Sequence, residues 1–398
     1  MRIVVLSSLA YSLINFRGRL LKALVDEGHE VVACAPDDDA DVRGKLADMG
    51  VSFRITPMDR TGMNPFQDLR TIAAYISLMR KERPDVVIGY TQKPIVYGGI
   101  ASQLFRKIRF YALMSGLGYV YSSEADNRTF LRKITSMVYR TGIRAARTVF
   151  VFNADDRKTM LSNGIVGYDQ HIVQVPGSGV DINHFRQQPL PKGATVFLMV
   201  ARIMRDKGVY EFVRAAEIVR EKHPDAIFRL LGKLETDNPT GVPEEQCLAW
   251  AKSGLIEYLP ETRDVRPHLA EASIFVLPSY YREGLPRTLL EALAVGRPLL
   301  TTDMPGCREP VDVGLNGWLV PPRDSDALAE RMIAMIENPD MVAEMAKNSR
   351  ARAVERYDVE KVNQTLLECM LLTKGDTKNN VVHPSAGSLR TAHVHEQI

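Results

Sequence analysis

The chain has 398 residues, 45% of them hydrophobic and 25% charged, enough to bury a full core and long for one domain, so two domains are expected. A net charge of +3 excludes a strongly basic nucleic-acid binder, and no apolar run is long enough to cross a bilayer. Cys34, Cys247, Cys307 and Cys369 lie far apart with no CxxC or Cys/His grouping, which argues against a structural zinc site or a disulfide framework.

In chain order, the opening MRIVVLSSLAYSL runs directly into a patterned helix without the spacing of a cleavable signal, and predicts retention in the cytoplasm. RIVVLSS, EVVACAP, VSFRI, DVVIGY, FYALMS and TVFVFN read as buried strands, continuous in Val, Ile and Phe. FRGRLLKALVDEG, PFQDLRTIAAYISLMRKE and the segment from Arg128 to Arg147 have helical spacing. Strand and helix in alternation predict a parallel sheet covered on both faces. IVQVPGSGVDINHF, from Ile172 to Phe185, is rich in Pro, Gly and Ser and is expected to be a linker.

A second series begins with TVFLMVAR and a helix from about Val209 to Lys222. It continues through AIFRLLG, LIEYLP, a short helix around Val265 to Ala272, SIFVLP, the helix after Pro286, PLLTT and GWLVP. Helices near Ser325 to Glu337 and Val359 to Leu372 follow. The expected fold class is therefore α/β, with two Rossmann-like domains facing each other across a cleft and ligands beyond the carboxyl ends of the strands. The expected units are 1–180 and 181–358, then a helix over 359–373 that could cross back to the first unit, and a disordered polar tail over 374–398. Residues 1–190 hold 25 Lys/Arg against 18 Asp/Glu and the remainder 26 against 30, so the first half is the basic one.

The chemistry is concentrated in the second series. SIFVLP is a strand, Ser279 to Glu283 the turn at its carboxyl end, and Pro286 suits the first helical position, where its missing N–H costs nothing. Glu283 then lies in the cleft, and the N–H groups of Gly284 and Leu285 at a helix start form a phosphate site. Glu291, about 7 Å further along the helix, is spaced to bind the hydroxyls of a nucleotide ribose. In VARIMRDKGVYEF, Arg202 and Lys207 put two cations at another strand end, a match for a diphosphate whose developing charge they would meet as it leaves. A Glu pair or an Arg and a Lys on arbitrary helices are ordinarily solvated; their coincidence at strand ends of one unit favours a site.

The E-G-x-P-x-x-x-x-E run (Glu283 to Glu291), the R-x-x-x-x-K-G run (Arg202 to Gly208) and the D-V-x-x-x-L-A segment (Asp264 to Ala270) resemble those of the retaining GT-B glycosyltransferases of family 4, over residues 1 to about 372. The resemblance implies that Arg202 and Lys207 hold the donor diphosphate, that Glu283 contacts the donor sugar and acts with them in catalysis, and that Gly284, Leu285, Pro286, Glu291 and Val265 complete the donor site. SGLGYVY, DRTGMNPFQDL and INFRGRLLKAL resemble the subgroup that adds HexNAc to undecaprenyl-diphosphate-linked sugars. The first unit would then bind the acceptor, and the donor would be a UDP-HexNAc or UDP-hexose. Two departures stand out: the first βα loop is Ser7-Ser8-Leu9-Ala10 where many members have Gly-Gly, and LMSGLGYVY carries no His where many have one. Retention without an obvious nucleophile fits a front-face mechanism.

DDDAD at Asp37 to Asp41 satisfies a D-x-D metal pattern, but acidic residues at a helix start favour the macrodipole, so no metal and no other cofactor is expected. Arg17 and Lys93 are candidates for the acceptor phosphate, Asn15 and Ser115 for acceptor hydroxyls. Cations interleaved with apolar residues over 106–147, among them Arg128, Arg132, Lys133, Arg140, Arg144 and Arg147, suit an anionic membrane surface. The expected location is the inner face of the plasma membrane, peripherally bound, without nucleic acid. The rival readings are an isomerase of the UDP-HexNAc 2-epimerase type, which needs a His in the cleft, and a non-catalytic sugar-nucleotide-binding subunit. A dinucleotide oxidoreductase is disfavoured because no G-x-G-x-x-G follows a first strand.

Overall fold

The computed structural model describes residues 1–59, 64–121 and 129–374. Strands β1 (Arg2–Leu6), β2 (Glu30–Ala35), β3 (Ser52–Ile55), β4 (Val86–Tyr90), β5 (Arg109–Met114), β6 (Ala146–Val151) and β7 (Ile172–Gln174) form one sheet in the order β3-β2-β1-β4-β5-β6-β7. Strands β8 (Val196–Val200), β9 (Ile227–Leu231), β10 (Glu257–Leu259), β11 (Ile274–Leu277), β12 (Leu299–Thr302) and β13 (Gly317–Val320) form the second, in the order β10-β9-β8-β11-β12-β13. All pairings are parallel. This is the doubly wound α/β pair expected from the alternation of the sequence. The order reverses between β1 and β4 and again between β8 and β11, and those two crevices are where a doubly wound sheet takes its ligands.

The strands beside the crevices are buried along nearly their whole length, as in Val86–Tyr90, Val196–Val200 and Ile274–Leu277. That burial is why they read as unbroken apolar runs. Several elements differ from the sequence reading, among them the helices Ala154–Ser162, Glu244–Lys252 and Pro339–Arg352, which it did not include. Ile172–Gln174, read as linker, adds an edge strand by pairing with Val149–Val151. The basic helix is Thr129–Ile143, so Arg144 lies beyond its end and Arg147 sits on β6; Arg128 is outside the described residues, as are Arg60–Met63 and the tail beyond 374. Gln92–Ser102 is a helix buried on most sides, so it lacks the polar face that reveals one.

The chain passes between the units twice at one place. The Val180 N–H donates to Tyr357 O at 2.8 Å and the Val359 N–H to Val180 O at 3.0 Å. Beyond it, Val362, Leu366, Leu367 and Met370 of the helix Val359–Met370 join the core of the first unit with Leu20, Leu21 and Leu24. The second core is built separately around Phe197, Phe212, Phe228 and Phe275.

Candidate active site

The second unit builds its half at the ends of β8 and β11. After β8 the chain makes a 3-10 turn, Arg205–Lys207, closed by Gly208 in the left-handed region at φ 80°. A Cβ there would lie 2.1 Å from Pro278 O, so only glycine lets this turn press against the end of β11. The turn delivers Lys207 under the loop after β11, where its ammonium pairs with Glu283 and lies 5.0 Å from the centre of the Tyr281 ring. Arg202 is exposed at the rim. Pro286 stands one position before the helix Arg287–Val295, as its N-cap, a shift of one residue from the sequence reading.

The loop carrying Glu283 is held from the first unit. A Cβ on Gly284 would lie 2.0 Å from Ser115 O, and one on Gly116, at φ 131°, 2.8 Å from the Gly284 N. The two backbones touch across the cleft because both residues are glycine. Asn153, at the end of β6, accepts from the Asp156 N–H at 2.7 Å and donates from Nδ2 to Gly284 O at 2.8 Å. Arg282 donates to Asp156 Oδ1 at 3.0 Å, to Tyr121 O at 3.1 Å and to Thr159 Oγ1 at 2.8 Å. Burial pushes the Asp156 carboxyl up, and Arg282 pulls it back. Arg308 adds a bond to Asp155 at 2.6 Å. This clasp was missed from sequence; its signal is the N-x-x-D of Asn153 to Asp156, a helix cap at the carboxyl end of a strand.

Two cavities meet at this loop. The smaller, about 440 Å³, is lined by Ser12, Arg17, Tyr90, Arg202, Lys207, Leu285, Pro286 and Arg287. The larger, about 710 Å³, is lined by Asp68, Lys93, Tyr97, Leu131, Ile134, Val138, Tyr139 and Arg282. Ser8, Thr91, Ser115, Glu283 and Gly284 line both. The smaller has Arg17, Arg202, Lys207 and Arg287 against one carboxylate, Glu283; the larger has Lys93 and Arg282 against Asp68 and Glu283. An excess of positive charge in a confined space favours an anion of charge two or more, and the larger, charge-balanced cavity suits an uncharged glycan or an alkyl segment.

The structure brings Arg202, Lys207, Glu283, Gly284, Leu285, Pro286 and Ser115 together. Glu291 is only 8% exposed and lines neither cavity; Arg287 Nε donates to it at 2.9 Å. Burial raises the Glu291 carboxyl and Arg287 lowers it again. Val265 packs against the core of the second unit and Asn15 ends the helix Ala10–Asn15; neither lines a cavity. Lys93 reaches the larger cavity with its ammonium engaged by Asp59 O at 2.7 Å and Asp68 at 3.1 Å. Arg17 opens into the smaller cavity, away from Lys93.

Each carboxylate of DDDAD has a local partner: Asp37 accepts from the Ala10 N–H at 2.8 Å, Asp38 pairs with Arg43, Asp39 caps its helix, and Asp41 takes Lys45 at 2.8 Å. Among the described residues no helix is long and apolar enough to cross a membrane.

Residues 15–177 match the model of the glycosyl transferase 4-like domain, and residues 180–352 that of the glycosyl transferases group 1. The chain is 26% identical over 381 residues to N,N'-diacetylbacillosaminyl-diphospho-undecaprenol alpha-1,3-N-acetylgalactosaminyltransferase of Campylobacter jejuni, covering 92% of this chain and 98% of that protein. It is 22% identical to UDP-Gal:alpha-D-GlcNAc-diphosphoundecaprenol alpha-1,3-galactosyltransferase of Escherichia coli, over 74% of this chain and 77% of that one. The crystal structure of Anabaena Alr3699/HepE in complex with UDP superimposes with a TM-score of 0.75 at 20% identity, covering 93% of this chain and 99% of that one.

Proposed function

We propose that this chain, a glycosyltransferase belonging to the group 1 glycosyl transferases, moves a HexNAc or hexose from a UDP-sugar to a lipid-diphosphate-linked glycan in bacterial surface-polysaccharide or glycoprotein-glycan assembly. The observation that carries the reading is the meeting of a cation-rich cavity and a larger, charge-balanced one at Glu283 and Gly284. The relatives named above act on undecaprenyl-diphosphate-linked sugars, and a structural neighbour binds UDP. A 2-epimerase would need an acid/base His, and among the described residues no histidine lines either cavity.

In this reading Arg202 and Lys207 hold the donor diphosphate, and Lys207 meets the charge that grows on it as the bond from the sugar C1 to the phosphate oxygen breaks. Glu283 accepts from donor-sugar hydroxyls. The acceptor oxygen, from the larger cavity and beside Ser115, bonds to C1 on the face the phosphate leaves, and the departing phosphate oxygen takes the acceptor proton. Configuration is retained with no protein nucleophile and no metal. Glu291 reaches the ribose once Arg287 turns to the diphosphate.

The acceptor side would lie on the cytoplasmic face of the membrane. Phe130 and Met137, 78% and 65% exposed, share the helix Thr129–Ile143 with the exposed Lys133 and Arg140, and Phe66 and Leu69 are exposed on the helix Pro65–Glu82. Both helices contribute lining to the larger cavity. Apolar side chains ringed by cations bind an anionic interface.

A transfer assay with radiolabelled UDP-sugars, an undecaprenyl-diphosphate-linked acceptor and EDTA is expected to give an α-linked product; complete loss of turnover in EDTA would refute the metal-free mechanism. Replacing Phe130 and Met137 by Ser is expected to abolish sedimentation with anionic vesicles, and unaltered sedimentation would remove the membrane contact.

A further inference from the structure

Arg17 is a buried cation that faces a cavity. It is 3% exposed, lines the smaller cavity, and its guanidinium carbon lies 5.1 Å from the centre of the Tyr90 ring and 5.7 Å from that of Phe152. Its Nε has no partner among the described residues. Arg297, also buried, leaves Nε and Nη1 without a partner among the described residues but donates from Nη2 to Gln188 O and Pro189 O at 2.9 Å each, and it lines neither cavity. Arg17 faces further positive charge. Arg287 reaches across the cleft to within 5.5 Å of the Phe16 ring, and burial together with the Arg287 charge lowers the Arg17 guanidinium to about 10, still protonated at neutral pH.

A buried cation without an acceptor, facing other cations, is costly in the empty protein unless an anion enters between them. Four cations converge from both sides of the cleft: Arg17 from the first unit, Arg202, Lys207 and Arg287 from the second. We propose that Arg17 is the first unit's ligand for the distal phosphate of a nucleoside diphosphate, binding from across the cleft the group that Arg202 and Lys207 hold from the other side. It therefore serves the donor and not the acceptor phosphate. The inference rests on the UDP-sugar reading above and adds a binding residue to it.

The test is calorimetric titration of the full chain, wild type, Arg17→Gln and Arg17→Lys, with UDP, UMP and uridine. The wild type is expected to bind UDP well above UMP. Arg17→Gln should lose at least tenfold in UDP affinity, keep UMP affinity within twofold and melt without nucleotide no lower than the wild type, because it removes an unpaired buried charge. Arg17→Lys should fall between. Unchanged UDP affinity in Arg17→Gln overturns the inference, as does equal loss of UDP and UMP, which would mark Arg17 as structural. A wild-type chain that binds UDP no better than uridine overturns the donor reading itself.

Discussion

The two cavities share the wall at Glu283 and Gly284 but differ in charge. On one side four cations face a single carboxylate; on the other, two cations face two carboxylates amid Leu131, Ile134 and Val138. The smaller takes lining from the ends of β1, β4, β8 and β11, where the strand order of each sheet reverses, and the larger mainly from the segments after β4 and β5 and from the helix Thr129–Ile143. The difference in charge comes from a few side chains at strand ends, and it suits one half to an anion and leaves the other balanced. The clasp of Asn153, Asp156 and Arg282 fixes the loop where they join, and its Arg282 also lines the larger cavity.

The sharpest way to break this division is Lys207→Ala, which strips the charged cavity of its most buried second-unit cation and leaves Glu283 unpaired. Turnover in the transfer assay is expected to fall by about 10³-fold; an unaltered kcat would dissolve the distinction between the cavities. Next is the clasp. Arg282→Ala leaves Asp156 buried without its partner and should cost about 3 kcal/mol in denaturant unfolding, while Asp156→Ala in the same background should recover part of that loss. Additive losses would mean that the two residues do not act together.

On the apolar side, Val138→Asp should raise KM for the lipid-linked acceptor by about tenfold, the order expected for a charge set against apolar surface, with UDP affinity unchanged. A change in UDP affinity instead would blur the two sites. The smallest effect concerns Glu309, whose carboxyl is pushed up by burial to about 6 from an ordinary 4.5 and whose Oε2 has no partner among the described residues. The folded protein holds that proton up to about pH 6 and the unfolded chain only to 4.5, so this carboxyl lowers stability as pH rises between those values. Glu309→Gln is expected to gain about 1 kcal/mol at pH 8 and little at pH 4 in thermal melts; an equal gain at both would exclude the titration as its cause.

The architecture was legible because strands buried on both faces are written as unbroken Val, Ile, Leu and Phe, and the turn after β11 announced itself through Glu283, Gly284 and Pro286. Less legible was the reason for Gly284, which touches Ser115 of a strand end about 170 positions earlier. The spacing of Glu291 gave its distance along a helix but not that Arg287, one turn before it, would hold its carboxylate. Arg17 and Lys93 read alike as cations after strands of the basic half, and only the fold shows that one enters the charged cavity and the other pairs with Asp68. Helix Gln92–Ser102 stayed hidden because Gly99 and Gly142 let it press so close to its neighbour that a Cβ on Gly99 would lie 2.0 Å from Gly142 O, and a helix buried on that many sides has no amphipathic stripe to read.

Determination of the structure of the chain with a UDP-sugar bound addresses the division of labour most directly. The diphosphate is predicted to occupy the smaller cavity within hydrogen-bond distance of Arg202, Lys207 and Arg17, with the sugar against Glu283 and the larger cavity left open. A nucleotide seated among Leu131, Ile134 and Val138, or a sugar turned away from Glu283, would contradict it.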